Sequence, residues 1–204
     1  MGSDPRIAVL ISGRGSNLQA LIDAQTSGQL GATIALVVSN RPDAGGLTKA
    51  EDAGIPTRVV NHKDFADRPS FERALVDVLR RADVRLVCLA GFMRLLGPTF
   101  LDAFPQRILN IHPSLLPAFP GTDGARQAWE HGVKVAGATV HLVTADLDGG
   151  PIVRQAAVPV HDDDTPDTLA ARILLEEHRI YAEAVRDVLR GDWTIDGRRF
   201  VRRV

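Results

Sequence analysis

Cys88 is the sole cysteine in the 204 residues, which excludes an intramolecular disulfide framework and a Cys-based zinc site. It lies in the apolar run Leu86-Val87-Cys88-Leu89-Ala90 and reads as a buried inert thiol rather than a nucleophile. Aromatic residues make up only 5% of the chain, and no apolar run approaches the roughly 18 residues of a membrane span. An excess of one charge is lacking too. With 24 basic against 25 acidic residues the formal net charge is -1, which indicates neither a nucleic-acid partner nor a membrane surface. Any anionic ligand must be held by a local site. The N-terminus Met1-Gly2-Ser3-Asp4-Pro5-Arg6 has no signal-peptide pattern, and Arg6 stands where a myristoylation signal wants Ser or Thr. A reducing cytoplasm is the expected compartment.

What is present is a regular alternation. Hydrophobic residues form 45% of the chain, enough for one sizeable core, and a single domain over 1–204 is expected. Within it, about 6–105 form a β-α-β part with a phosphate cradle, and about 106–204 form a catalytic and C-terminal part. Apolar runs at 7–11, 34–39, 56–60 and 85–89 read as strands separated by helical patterns at 16–27, 44–53 and 69–82, with a shorter helix at 98–103. Such alternation predicts an α/β fold: a mostly parallel, Rossmann-like twisted sheet of about seven strands with helices on both faces. A short helix is predicted at 125–131. Two later strands, 137–143 and 151–160, are joined by too few residues for a parallel crossover and are expected to pair antiparallel. Thr165-Pro166-Asp167 reads as the start of a long helix ending at Gly191, and 193–204 as a small edge hairpin.

Three constellations carry chemistry. Asn110 and His112 lie two apart in a strand and so share a face, and Pro113 ends that strand at its carboxyl edge, where α/β sheets place their sites. An amide donor beside an imidazole can polarise a carbonyl and manage a proton. The bland reading is a strand end whose polar residues cap a turn. The second constellation, Ser12-Gly13-Arg14-Gly15-Ser16-Asn17-Leu18, follows the first strand and opens a helix, where free amides can receive a phosphate. Leu18 replaces the third glycine of the dinucleotide fingerprint, the second strand ends without an acidic residue for a ribose, and no Walker loop is present. Helix-on-sheet packing would equally explain these glycines. The third is Asp148, beside Gly149 and Gly150, whose carboxylate near His112 would favour imidazolium and fix the ring; a local turn role is the alternative. His62, His131 and His161 read as solvated, and His141 either lines the same cleft as His112 or serves structure. No histidines stand one helical turn apart as a zinc pair would.

Four ordered motifs, Ile11-Ser12-Gly13-x-Gly15-Ser16-Asn17-Leu18-Gln19-Ala20, Leu89-Ala90-Gly91-Phe92-Met93-Arg94, Asn110-Ile111-His112-Pro113-Ser114-Leu115-Leu116-Pro117 and Leu147-Asp148-Gly149-Gly150-Pro151, together resemble the folate-dependent phosphoribosylglycinamide formyltransferase family over about 6–190. The resemblance implies the formyltransferase fold and direct formyl transfer from 10-formyltetrahydrofolate, a co-substrate, to the amine of glycinamide ribonucleotide in purine synthesis. It implies that Gly15, Ser16 and Asn17 hold the ribonucleotide phosphate, with Glu177 near its ribose. Arg68, Met93, Arg94, Leu95 and Leu96 would bind folate, as would Thr144, Ala145, Asp146, Leu147 and Asp148 around the pterin. Asn110 and His112 would act on the formyl oxygen, with Asp148 supporting the charged form of His112. Neither a metal nor a covalent nucleophile is needed. The partners implied are small molecules, with no nucleic acid and no membrane, for a monomer or homodimer.

The chain departs from the family pattern in two places. Residues 119–126 lack the histidines some relatives carry and Ala118 replaces a frequent lysine; Leu174 and Leu175 stand where polar residues occur. Formyltetrahydrofolate deformylase and methionyl-tRNA formyltransferase would reuse the same three catalytic residues. The first is expected to need an extra N-terminal domain and the second a C-terminal RNA-binding domain, and neither is expected from the stretches before the first strand and after Gly191. A nucleotide-binding module without acyl transfer is the alternative of a different class.

Overall fold

The computed structural model describes residues 4–203, in two compact units that divide after Leu109. Residues 1–3, read above for targeting signals, and Val204, at the end of the expected hairpin, lie outside the described residues. In the first unit, β1 (Arg6–Ile11), β2 (Thr33–Ser39), β3 (Thr57–Val59) and β4 (Leu86–Leu89) are ordered β3-β2-β1-β4. β1 pairs parallel with β2 and with β4, and β2 pairs parallel with β3. β1 shows why: five consecutive apolar residues, Ile7 to Ile11, are each fully buried, as a strand covered on both faces requires.

The helices of this unit are α1 (Ser16–Thr26), α2 (Gly46–Asp52), α3 (Arg68–Arg81) and the single turn α4 (Pro98–Leu101). The Asp67 side chain caps α3 by accepting from the Ser70 amide at 2.7 Å, and Phe71, Leu75, Val76 and Leu79 form its buried stripe. α2 begins at Gly46, two residues after the helical pattern suggests, and the Gly46 amide donates to the Gly13 carbonyl at 3.0 Å. A single 3-10 turn over 62–64, which the apolar pattern does not announce, is capped by Asn61.

The second unit carries β5 (Ile108–His112), β6 (Val135–Leu142), β7 (Ile152–Pro159), β8 (Trp193–Asp196) and β9 (Arg199–Arg202), in the order β5-β6-β7-β9-β8. β6 and β7 pair antiparallel as the short connection requires, and the tail forms the antiparallel hairpin β8-β9. The hairpin's two strands raise the total among the described residues to nine, against about seven from the main alternation. Its attachment, one parallel bridge between Ile152 and Arg199, is too short to leave a sequence pattern.

Helices α5 (Gly124–Glu130) and α6 (Pro166–Arg190) complete the unit. α6 starts as its sequence demands: Thr165 accepts from the Thr168 amide at 3.2 Å while the Thr168 hydroxyl accepts from the Thr165 amide at 2.9 Å, a reciprocal box closed with Thr where Glu is usual. Gly191, at φ 74°, ends it in the left-handed conformation. No helix among the described residues is long and apolar enough to cross a membrane.

Candidate active site

Asn110 and His112, at the end of β5, meet two side chains from β6 and the turn after it. The His112 Nδ1 lies 3.6 Å from Asp148 Oδ2, and Asp148 Oδ1 lies 3.6 Å from His141 Nε2. Asn110 Nδ2 is 3.2 Å from the same His141 nitrogen. Asn110, His112, His141 and Asp148 thus form one polar cluster. Both histidines are buried, at 4% and 2% exposure. A carbonyl only accepts, which assigns the ring protons: His112 Nε2 donates to the Phe119 carbonyl at 2.8 Å, and His141 Nδ1 to the Leu142 carbonyl at 3.0 Å. In the neutral ring His141 Nε2 is then the acceptor for the Asn110 amide, and in the protonated ring the same atom faces Asp148 as a donor. Burial alone would raise the Asp148 carboxyl. The polar contact from His141, the Gly121 amide at 2.7 Å and the charge of both imidazoles outweigh it, and the carboxyl sits below its ordinary value.

The local sequence builds this geometry. The Thr139 hydroxyl donates to the Ser114 carbonyl at 2.6 Å and accepts from the Leu116 amide at 3.0 Å, which pins the turn after Pro113. The Leu116-Pro117 peptide is cis. Asp148 adopts φ 49°, a left-handed conformation that Asp tolerates better than most residues. Its glycine neighbours serve the backbone rather than the exposure of the carboxylate: a Cβ on Gly150 would collide with the Leu142 carbonyl, and one on Gly149 would stand 2.7 Å from the Asp146 Cβ. Phe119, at φ 53°, also lies in the left-handed region, and that turn aims its carbonyl at His112.

In the first unit, Gly15 at φ 72° precedes α1, and no side chain caps the helix start that carries Ser16 and Asn17. A Cβ on Gly15 would stand 2.7 Å from the Gly46 Cα, so packing between the two turns accounts for this glycine; one on Gly13 would meet nothing within 4 Å. The Ser12 hydroxyl donates to Asn40 Oδ1 at 2.6 Å and accepts from the Met93 amide at 2.8 Å, tying the cradle to the Gly91-Phe92-Met93 turn. In that turn Met93 and Leu95 are exposed at 70% and 65%, Arg94 is exposed and Leu96 is buried. Arg68, at the start of α3, is held by Glu72 at 2.8 Å. In the second unit, Thr144, Ala145, Asp146 and Leu147 are exposed on the turn leading to Asp148, and Glu177 is buried on α6. A cavity of about 540 Å³ in the first unit is lined by Arg41, Pro42, Asp43, Asn61, His62 and Lys63, none of them a residue expected in the site.

A family model described as formyl transferase matches residues 5–185. The chain belongs to the formyl transferase family. It is 45% identical over 192 residues to a phosphoribosylglycinamide formyltransferase of Escherichia coli, covering 94% of this chain and 88% of that relative. It is 50% identical over 186 residues to the human trifunctional purine biosynthetic protein adenosine-3, covering 91% of this chain. The chain spans only 18% of that protein's length. Among solved structures, a glycinamide ribonucleotide transformylase of Symbiobacterium toebii superposes with a TM-score of 0.97 at 52% identity, covering 100% of this chain and 96% of that one.

Within this formyl transferase, motif reading brings Asn110, His112 and Asp148 to one place and leaves His141 open between two roles. The structure gives His141 the bridging position, in contact with both Asn110 and Asp148. The Phe119 carbonyl and Gly121 amide escape motif reading because they are main-chain atoms, and any residue type supplies them. The signal that could have found His141 is its spacing: it shares a strand face with Thr139, whose hydroxyl holds the turn after His112.

Proposed function

We propose that this chain transfers the formyl group of 10-formyltetrahydrofolate to the amine of glycinamide ribonucleotide, a step of purine synthesis in the cytoplasm. The observation that carries this reading is the polar cluster of Asn110, His112 and Asp148 at the end of β5, with His112 buried. Attack of the amine lone pair on the formyl carbon places negative charge on the formyl oxygen. The Asn110 amide and a protonated His112, whose Nε2–H turns from the Phe119 carbonyl to the formyl oxygen, are the donors, and loss of one such donor typically costs about 3 kcal/mol. Asp148 keeps the imidazolium oriented and compensated. The proton that leaves the amine passes to the departing folate nitrogen as the carbon–nitrogen bond to the folate breaks, so atoms and charge balance without a covalent enzyme intermediate.

Gly15, Ser16 and Asn17 hold the phosphate through the backbone amides and polar side chains at the start of α1, and Glu177 takes the ribose hydroxyls. Arg68, Met93, Arg94, Leu95 and Leu96 bind folate with Thr144, Ala145, Asp146, Leu147 and Asp148. The exposed apolar side chains of Met93, Leu95 and Leu147 fit this assignment, since a flat pterin and its aryl tail would cover surface otherwise left to water. The chain acts on small molecules, as a monomer or homodimer.

The test follows the absorbance of the released folate with 10-formyltetrahydrofolate as donor, glycinamide ribonucleotide as acceptor, and an acceptor-free control. Turnover that requires the ribonucleotide supports the proposal, and equal turnover without it would identify a hydrolase. Asn17→Ala should raise KM for the ribonucleotide more than for the folate. An equal change in both removes the phosphate assignment.

A further inference from the structure

We propose that Glu72 is a positioning residue of the folate site: its buried carboxylate seats the Arg68 guanidinium and the backbone of the Arg94-Leu95-Leu96-Gly97 turn as one piece. The proposal rests on the reading above that Arg68 and Met93 to Leu96 meet the folate. Glu72 is 1% exposed, and a charge so buried is tolerated only where it is paired and hydrogen-bonded. Three donors satisfy it. Its Oε1 accepts from Arg68 Nε at 2.8 Å and from the Gly97 amide at 2.5 Å, and its Oε2 accepts from the Phe100 amide at 3.3 Å.

Gly97 and Phe100 stand at the cap and third positions of α4, where a side-chain oxygen normally satisfies free amides. Gly97 has no side chain to do so, and Glu72 performs the task from α3. The same carboxylate thereby fixes where the turn before α4 lies. With Leu96 and Gly97 buried, Met93 and Leu95 are left facing outward.

The seat for Arg68 has a second wall. A Cβ on Gly97 would collide with the Arg68 Nη2 and stand 2.9 Å from its Cζ and Nε. Gly97 has φ -102°, open to any residue, so glycine there leaves room for the guanidinium rather than serving the conformation. Because Nε is spent inward on Glu72, the half-exposed guanidinium keeps its outer edge of Nη donors for a planar anion. Folate carries carboxylates and no phosphate, so a carboxylate is the group this edge receives.

The experiment compares wild type, Arg68→Ala, Glu72→Gln, Gly97→Ala and the Arg68→Ala/Glu72→Gln double variant. Each is measured by formyl-transfer kinetics with either substrate varied, by calorimetric binding of tetrahydrofolate, and by thermal unfolding. Glu72→Gln keeps the volume and one acceptor oxygen but removes the charge, and should raise the folate KM about tenfold while kcat and the ribonucleotide KM stay within about twofold. Gly97→Ala displaces the guanidinium but leaves Glu72 intact. It should reproduce the folate effect at unchanged Tm, and so provides the same test if Glu72→Gln unfolds. The double variant should bind folate more weakly than Arg68→Ala alone by clearly less than the about tenfold cost of Glu72→Gln in wild type, because part of that cost is the seating of Arg68 already removed. Failure of wild type to bind tetrahydrofolate would overturn the folate reading, and this proposal with it. If wild type binds and Arg68→Ala weakens binding while Glu72→Gln and Gly97→Ala do not, the positioning role alone is refuted. Independent, multiplying effects of Arg68→Ala and Glu72→Gln would refute it equally.

Discussion

Asp148→Asn changes one atom and tests the electrostatic core of the proposed reaction. In the native cluster Oδ2 serves both the Gly121 amide and His112, while Oδ1 faces His141. The Gly121 amide needs an acceptor, so the Asn oxygen stays in the Oδ2 position. The new NH2 group then faces His141 Nε2, the atom that receives the Asn110 amide, and two donors compete for one lone pair. The larger loss is charge. The His112 and Asp148 side chains retain 5% and 9% exposure, so the dielectric of bulk water does not apply between them. At 3.6 Å and an effective dielectric of about 20, an imidazolium and a carboxylate attract by about 4 to 5 kcal/mol. Allowing for relaxation and the residual pull of the amide oxygen, about 3 kcal/mol is lost when His112 must carry positive charge, on the order of a hundredfold in kcat. The assay is steady-state formyl transfer at saturating concentrations of both substrates, with the thermal midpoint as control. A variant that keeps kcat within about threefold of wild type at an unchanged midpoint would refute the reasoning, because no counter-charge would then be needed.

Other predictions concern stability. The Asp148 carboxyl is depressed in the fold, so its contribution is present above the ordinary carboxyl value of about 4 and is lost as pH falls through the folded value; the urea-midpoint gap between wild type and Asp148→Asn should shrink as pH falls below about 4, and a gap that widens would reverse the sign of the coupling. Asp187, with a side chain 3% exposed, receives Arg154 Nε at 2.6 Å and also Arg202 from β9. Asp187→Ala should cost about 3 kcal/mol in urea unfolding and speed amide exchange in β8 and β9; unchanged exchange there would show that the hairpin is anchored elsewhere. Gly150→Ala drives a Cβ into the Leu142 carbonyl and should cost about 2 kcal/mol or more, read as a lower thermal midpoint, and a neutral result would mean that the β6 end has room to yield.

Local features were legible before any coordinates. Thr165-Pro166-Asp167 announces the start of α6 because capping involves neighbours in the chain, and the antiparallel β6-β7 pair follows from the length of its connection. Asn110 and His112 were readable as a pair because strand geometry puts alternate side chains on one face. Long-range features were not. The bridge from Ile152 to Arg199 and the use of Glu72 as a cap for α4 each depend on a segment distant in sequence. Gly150 is visible in the sequence only as a neighbour of Asp148, and the reason for it, the approach of the Leu142 carbonyl, is not. Backbone donors and acceptors such as Gly121 and Phe119 leave no trace in residue type at all.

The contact between Gly15 and Gly46 bears on how an anion would be captured at the start of α1. A loop that closes around its ligand gives up about 1 to 2 kcal/mol of backbone entropy for each residue it orders. Here the left-handed turn at Gly15 is already held against Gly46, and the Gly46 amide is tied to Gly13. The ordering cost therefore falls on folding and not on the encounter. Anion binding at this helix start should release heat with little loss of chain entropy, and its affinity should follow charge and hydrogen-bond complementarity far more than loop length.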